Sequence, residues 1–184
     1  MTDPLYKPMT AFLLGQGIEE MEHTGKTYLG HLIAVHRMME EQACSTDACR
    51  AGLFHSIYGT EAFQRFQLPL DRRAEIRDLI GERAERLAYL NCAMDRASFD
   101  AALRRGRPPY AILDRLTGEE VAMDAADFDD LCRVHLYDWL EQAPRSRLGY
   151  GYRREAYWGM AERLGPDAIA AFDRVYAGEA AATD

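Results

Sequence analysis

The chain has 184 residues, 48% of them apolar and 28% charged, with a formal net charge of −8. That length suits one compact domain with a single core, and the acidic balance argues against a nucleic-acid partner, since such proteins gather Lys and Arg on one face. No apolar run approaches the roughly 20 residues of a bilayer-crossing helix, and Met1-Thr-Asp-Pro4 lacks the basic start and apolar core of an export signal. The expectation is a cytoplasmic protein with no membrane partner.

Helical periodicity dominates the chain and predicts an all-α fold, one domain over 1–177 followed by a frayed tail, 178–184. A first amphipathic helix is predicted over 10–22, ending in the polar turn His23-Thr24-Gly25-Lys26. A second spans 27–42, where Leu29, Leu32, Val35, Met38 and Met39 form an apolar stripe that also carries His31. His36, five residues on, projects from a different face and reads as a surface or boundary histidine. Ser45 and Thr46 are N-cap candidates for a third helix, 47–58, with His55 on its last turn. After Gly59, Glu61 reads either as a group returning to the site or as a first-turn acid of a short helix, 60–66, capped by Thr60.

The longest periodic segment follows, a single helix over 72–96 with Ile76, Leu79, Ile80, Leu87, Leu90 and Met94 on one side; Glu85 within it should pair with an arginine. The stretch 104–109 is a loop. Short apolar runs at 110–116 and 119–123 flank Thr117-Gly118, the pattern of a small β-hairpin. Asp124, with Asp127 three residues on, caps a helix that runs to Gln142 and should pack on the His-bearing pair. Two more helices, 153–164 and 166–176, complete the domain, with Pro166 in a first turn. Cys44, Cys49, Cys92 and Cys132 form no C-x-x-C pair and read as reduced core thiols.

A divalent metal needs ligands that converge from rigid elements, typically histidines with one or more carboxylates. His31 and His55 supply the first two. Asp138, set between large apolar residues in Leu136-Tyr137-Asp138-Trp139-Leu140, would be costly as an unpaired carboxylate and is the third candidate. His135 lies one turn earlier on the same face, as an added ligand or a supporting partner.

With His31, then His55-Ser56, then Asp138, the pattern resembles the HD superfamily of all-helical metal enzymes, in which a helix carries a histidine, the next ends in His-Asp and a late helix supplies an aspartate. It also resembles an uncharacterised bacterial family related to that superfamily, marked by H-[ST]-G-[RK]-T-L-x-x-H-L and G-L-F-H-S-x-Y-G-T-E. His23 to Leu32 and Gly52 to Glu61 match those motifs, departing at Tyr28 and Leu29, and the likeness spans most of residues 20–142. It implies an HD-like helical bundle. Ser56 stands where HD enzymes have the metal-bridging aspartate, and a hydroxyl is a far weaker ligand, so one divalent ion, iron, zinc or manganese, is expected rather than two.

The resulting reading is a metal-dependent enzyme that hydrolyses a small polar or phosphorylated molecule with metal-activated water. His31, His55 and Asp138 hold the ion, Glu61 or His135 moves the proton, and Lys26 or His23 balances negative charge, with Ser56 and Tyr58 also expected to touch substrate. A non-haem iron oxygenase would use the same three ligands. A non-catalytic module with a decayed site, binding a ligand or a partner helix, is the third reading; a homodimer is among the assemblies open to the chain.

Overall fold

A computed structural model describes residues 3–18 and 21–181. The described chain is mostly helical, as the periodicity predicts, with two small antiparallel hairpins. Helix α1 (Tyr6–Leu14) starts and stops earlier than the expected 10–22. Pro8 sits in its first turn, where no backbone N–H is needed, and the glycines at 15 and 17 close it. Residues 19–20, within the expected span, lie outside the described residues.

The turn at 23–26 is the tip of a hairpin, β1 (Glu22–His23) with β2 (Lys26–Thr27), in which His23 pairs with Lys26. Thr27 then caps α2 (Tyr28–Glu41), its hydroxyl accepting from Gly30 N–H at 3.1 Å. Tyr28, His31, Leu32, Val35 and Met39 bury one face of α2. Ser45 caps α3 (Thr46–Leu53) by accepting from Ala48 N–H. A Cβ on Gly52 would press on the Met39 thioether of α2 and force that side chain to move, so glycine suits the close approach of α3 to α2. α3 stops at Leu53, and 54–58 continue as turns, which puts His55 just beyond the helix rather than on its last turn.

No helix forms over 60–66; the Thr60 hydroxyl accepts from Phe63 N–H in an isolated turn. The expected single helix over 72–96 is two, α4 (Arg73–Ile80) and α5 (Glu82–Ala93), because Gly81 adopts φ +94° and redirects the chain. A further helix, α6 (Arg96–Arg105), went unread in the sequence, although Asp95 caps it by accepting from Ser98 N–H and Gly106 ends it at φ +65°. The hairpin at 110–123 forms as predicted, β3 (Tyr110–Leu113) against β4 (Glu120–Met123).

Helix α7 (Ala125–Gln142) has the expected Asp124 cap and packs on α2, α3, α5 and α8 (Arg154–Leu164), which makes it the central helix. Helix α9 (Pro166–Tyr176) lies on α8, and the Tyr176 hydroxyl accepts from the buried Trp139 indole. The expected frayed tail begins as a short helix, α10 (Gly178–Ala181); 182–184 lie outside the described residues. Among the described residues no helix is long and apolar enough to cross a membrane.

Candidate metal centre

Three elements converge at one point: α2 brings His31, the turn after α3 brings His55, and α7 brings Asp138. His31 Nε2 lies 3.1 Å from Asp138 Oδ1, His55 Nε2 lies 3.3 Å from the same oxygen, and the two Nε2 atoms are 3.3 Å apart. Bonds of about 2.0–2.2 Å separate neighbouring donors by about 3.3–3.6 Å in a tetrahedral sphere and about 2.8–3.1 Å in an octahedral one, so the triangle is ion-sized.

The far nitrogens explain why these atoms face inward. His55 Nδ1 donates to Gly52 O at 2.8 Å, and His31 Nδ1 lies 2.6 Å from Glu141 Oε2. In a neutral imidazole with its proton on Nδ1, Nε2 carries a lone pair. Two lone pairs and a carboxylate oxygen thus point at each other inside the protein, an arrangement that a cation, or a proton on His31, relieves. The donor set fits a divalent ion. Burial pushes the His31 imidazolium down, but Asp138 and Glu141 outweigh it and raise its pKa above the ordinary 6.5. Burial likewise raises the Asp138 carboxyl, yet His55 and His31 hold it well below 3.8.

Glu141, one turn after Asp138, is the supporting residue that sequence reasoning missed. Besides His31 it engages Lys26 Nζ at 2.7 Å and Arg145, and these partners overcome burial to bring its carboxyl to about 2. An acid at i+3 from Asp138, on the same helix face, is the signal that could have found it. The His55 carbonyl is held by Asn91 Nδ2 at 2.8 Å and by the Cys92 thiol.

A cavity of about 610 Å³ opens beside this centre, with His23, His55, Ser56 and Asp138 on its floor. Arg65, Arg96, Arg145 and Arg147 also line it, and Asp138 is its one acidic residue among the described ones. Arg145 is engaged by Thr24 O and Glu141, and Arg96 donates to the Tyr152 hydroxyl at 2.8 Å. Ser56 is buried, its hydroxyl 2.9 Å from that of Tyr28.

Other expected site residues are placed differently. Glu61 is exposed, does not line the cavity, and accepts from Arg96 N–H at the start of α6. Lys26 is paired with Glu141 and so steadies the support of His31 instead of waiting for an anion. Tyr58 is enclosed and donates to Glu85 at 2.9 Å, away from the cavity. His135 is buried with Nε2 accepting from Arg153 at 2.9 Å, and is not part of the converging triangle. His36 is fully buried rather than at the surface, packed on Tyr6, with Nδ1 3.4 Å from Glu40 Oε2. The four cysteines are free, as expected.

Residues 12–96 match a family described as a domain of unknown function (DUF6817). The matched stretch carries His23, His31 and His55 and ends before Asp138. No curated protein and no solved structure matches the chain.

Proposed function

We propose that this chain is a metal-dependent hydrolase of a small, anionic, phosphate-bearing molecule, with one divalent ion held by His31, His55 and Asp138. The observation that carries this reading is a triangle of three mutually facing acceptors, two of which, His55 and Asp138, line a cavity that four arginines also line. A bound divalent ion would make a water acidic enough to attack near neutral pH and would offset charge building on the reacting oxygens.

The chain's own residues divide the remaining work. Glu141, fixed by Lys26 and Arg145, orients His31, and the Gly52 carbonyl orients His55. Arg96 and Arg147 supply donors to phosphate oxygens, a role suited to planar guanidinium groups. Ser56, steadied by Tyr28, offers a hydroxyl beside them. In the reaction water adds to phosphorus, the ester P–O bond breaks, and the proton released by water ends on the leaving oxygen. The likeness to HD enzymes in the order histidine, His-Ser, aspartate agrees with this assignment.

The test is elemental analysis of protein purified without chelator, followed by phosphate release from small phosphomonoesters with and without added zinc, manganese or iron. Near-stoichiometric metal and metal-dependent release are expected. Oxygen consumption by the iron-loaded protein, without phosphate release, would favour the oxygenase reading. No metal uptake by wild type would favour the non-catalytic module.

A further inference from the structure

His23 is the residue at this site whose chemistry is unaccounted for. Its ring lies 4.4 Å from that of His31, closer than the 5.1 Å between the rings of His31 and His55. Phe63 meets it edge-on at 4.7 Å and Tyr28 at 5.9 Å, so the ring is held on three sides. Its Nε2 is enclosed and has no hydrogen-bond partner, although the residue lines the same cavity as His55 and Asp138. An enclosed ring nitrogen without a partner calls for an occupant, and an ion in the adjoining cavity is one.

The hairpin that carries His23 is fastened to the helix that carries Asp138. Lys26 pairs with Glu141, Arg145 donates to Thr24 O at 2.6 Å, and the Thr24 hydroxyl donates to Gln142 Oε1 at 3.3 Å. Gln142 in turn donates to Asp138 Oδ1 at 2.9 Å. Thr24 itself is held at φ +45°, a conformation that a β-branched residue adopts only when its surroundings enforce it. The fastenings thus fix the residue next to His23 to the element that supplies a ligand.

We infer that His23 is a fourth protein ligand: it stands outside the converging triangle as it is, and its ring turns from its contact with His31 to bring Nε2 to an ion held by His31, His55 and Asp138. This rests on the metal reading above and narrows it. Four protein donors complete a tetrahedral sphere, so an ion that also admits water or substrate here has five or six positions, which favours iron or manganese over four-coordinate zinc.

Cobalt(II) tests this directly, because its visible absorption reports coordination number. Wild type, His23→Phe, which keeps an aromatic ring against Phe63 and Tyr28, and His23→Gln, whose amide oxygen can still ligate, are titrated against a competing chelator. Wild type should show the weak absorption of five or six donors. His23→Phe should bind cobalt at least about 10- to 100-fold more weakly, with an altered spectrum, and His23→Gln should fall between. Equal affinity and spectrum in His23→Phe and wild type would overturn the inference and leave the three-ligand site standing. Should His23→Phe fail to fold, X-ray absorption of the cobalt-loaded wild type decides: three imidazoles support the inference, and two overturn it. A wild type that takes up no cobalt removes the metal reading, and this one with it.

Discussion

Glu85 and Asp138 are carboxylates enclosed by the same bundle, 1% and 8% exposed, yet their surroundings are built on opposite principles. Glu85 is matched by donors: Arg73 Nε at 2.7 Å, Arg73 Nη2 at 3.1 Å and the Tyr58 hydroxyl at 2.9 Å. Asp138 faces two imidazole nitrogens whose partner rings have already spent their Nδ1 protons on Gly52 and Glu141. The first cluster is complete as it stands. The second is relieved only when a cation, or a proton on His31, enters it, and that contrast separates a candidate site from a structural ion pair better than residue type does.

Breaking the closed cluster should cost most in stability. Glu85→Ala leaves the Arg73 guanidinium half-buried without its carboxylate and should destabilise by about 3–5 kcal/mol, read as a lower midpoint in denaturant, with metal uptake per folded molecule unchanged. His55→Ala should invert that pattern: metal uptake collapses, while stability without metal falls by only about 1–3 kcal/mol from the lost bond to Gly52 O and the space left behind. Glu141→Gln keeps the shape but removes the charge behind His31, and a chelator competition should show metal bound roughly 10- to 100-fold more weakly.

The smallest expected effect is a pH dependence with two signs. Asp138, depressed below 3.8, contributes stability above that value which is lost as pH falls towards its folded pKa. His31, raised above 6.5, contributes stability that is full below 6.5 and lost as pH rises through its folded pKa. Metal-free protein should therefore gain most from this cluster between about pH 4 and pH 6.5. Because a metal must displace the His31 proton, the rise in Tm on adding metal should be larger at about pH 8 than at about pH 6, measured by paired thermal melts.

The convergence of His31, His55 and Asp138 was legible because each is a titratable group in an apolar segment, where burial without a partner is costly. Helix α7 was legible because its Asp124 cap and its periodicity agree, α2 and α8 by periodicity alone, and α9 by periodicity with Pro166 in its first turn. The break at Gly81 was hidden because the apolar period continues in phase across it, and only the positive φ reveals it. Glu61, Lys26 and Tyr58 were misread for want of their partners, which lie 35, 115 and 27 residues away in the chain. The arginines of the cavity come from three separate segments, at 65, at 96 and at 145–147, and form no pattern along the sequence.

The cavity's arginines sit on a chain whose overall charge is −8. To a distant anion the net charge is repulsive, whereas along the cavity four arginines stand against one acid, Asp138, among the described residues. At physiological salt the repulsion fades beyond about 8 Å, while charges close to the mouth keep acting. Dilute buffer should therefore slow the arrival of an anionic ligand, the reverse of what basic, substrate-steering proteins do.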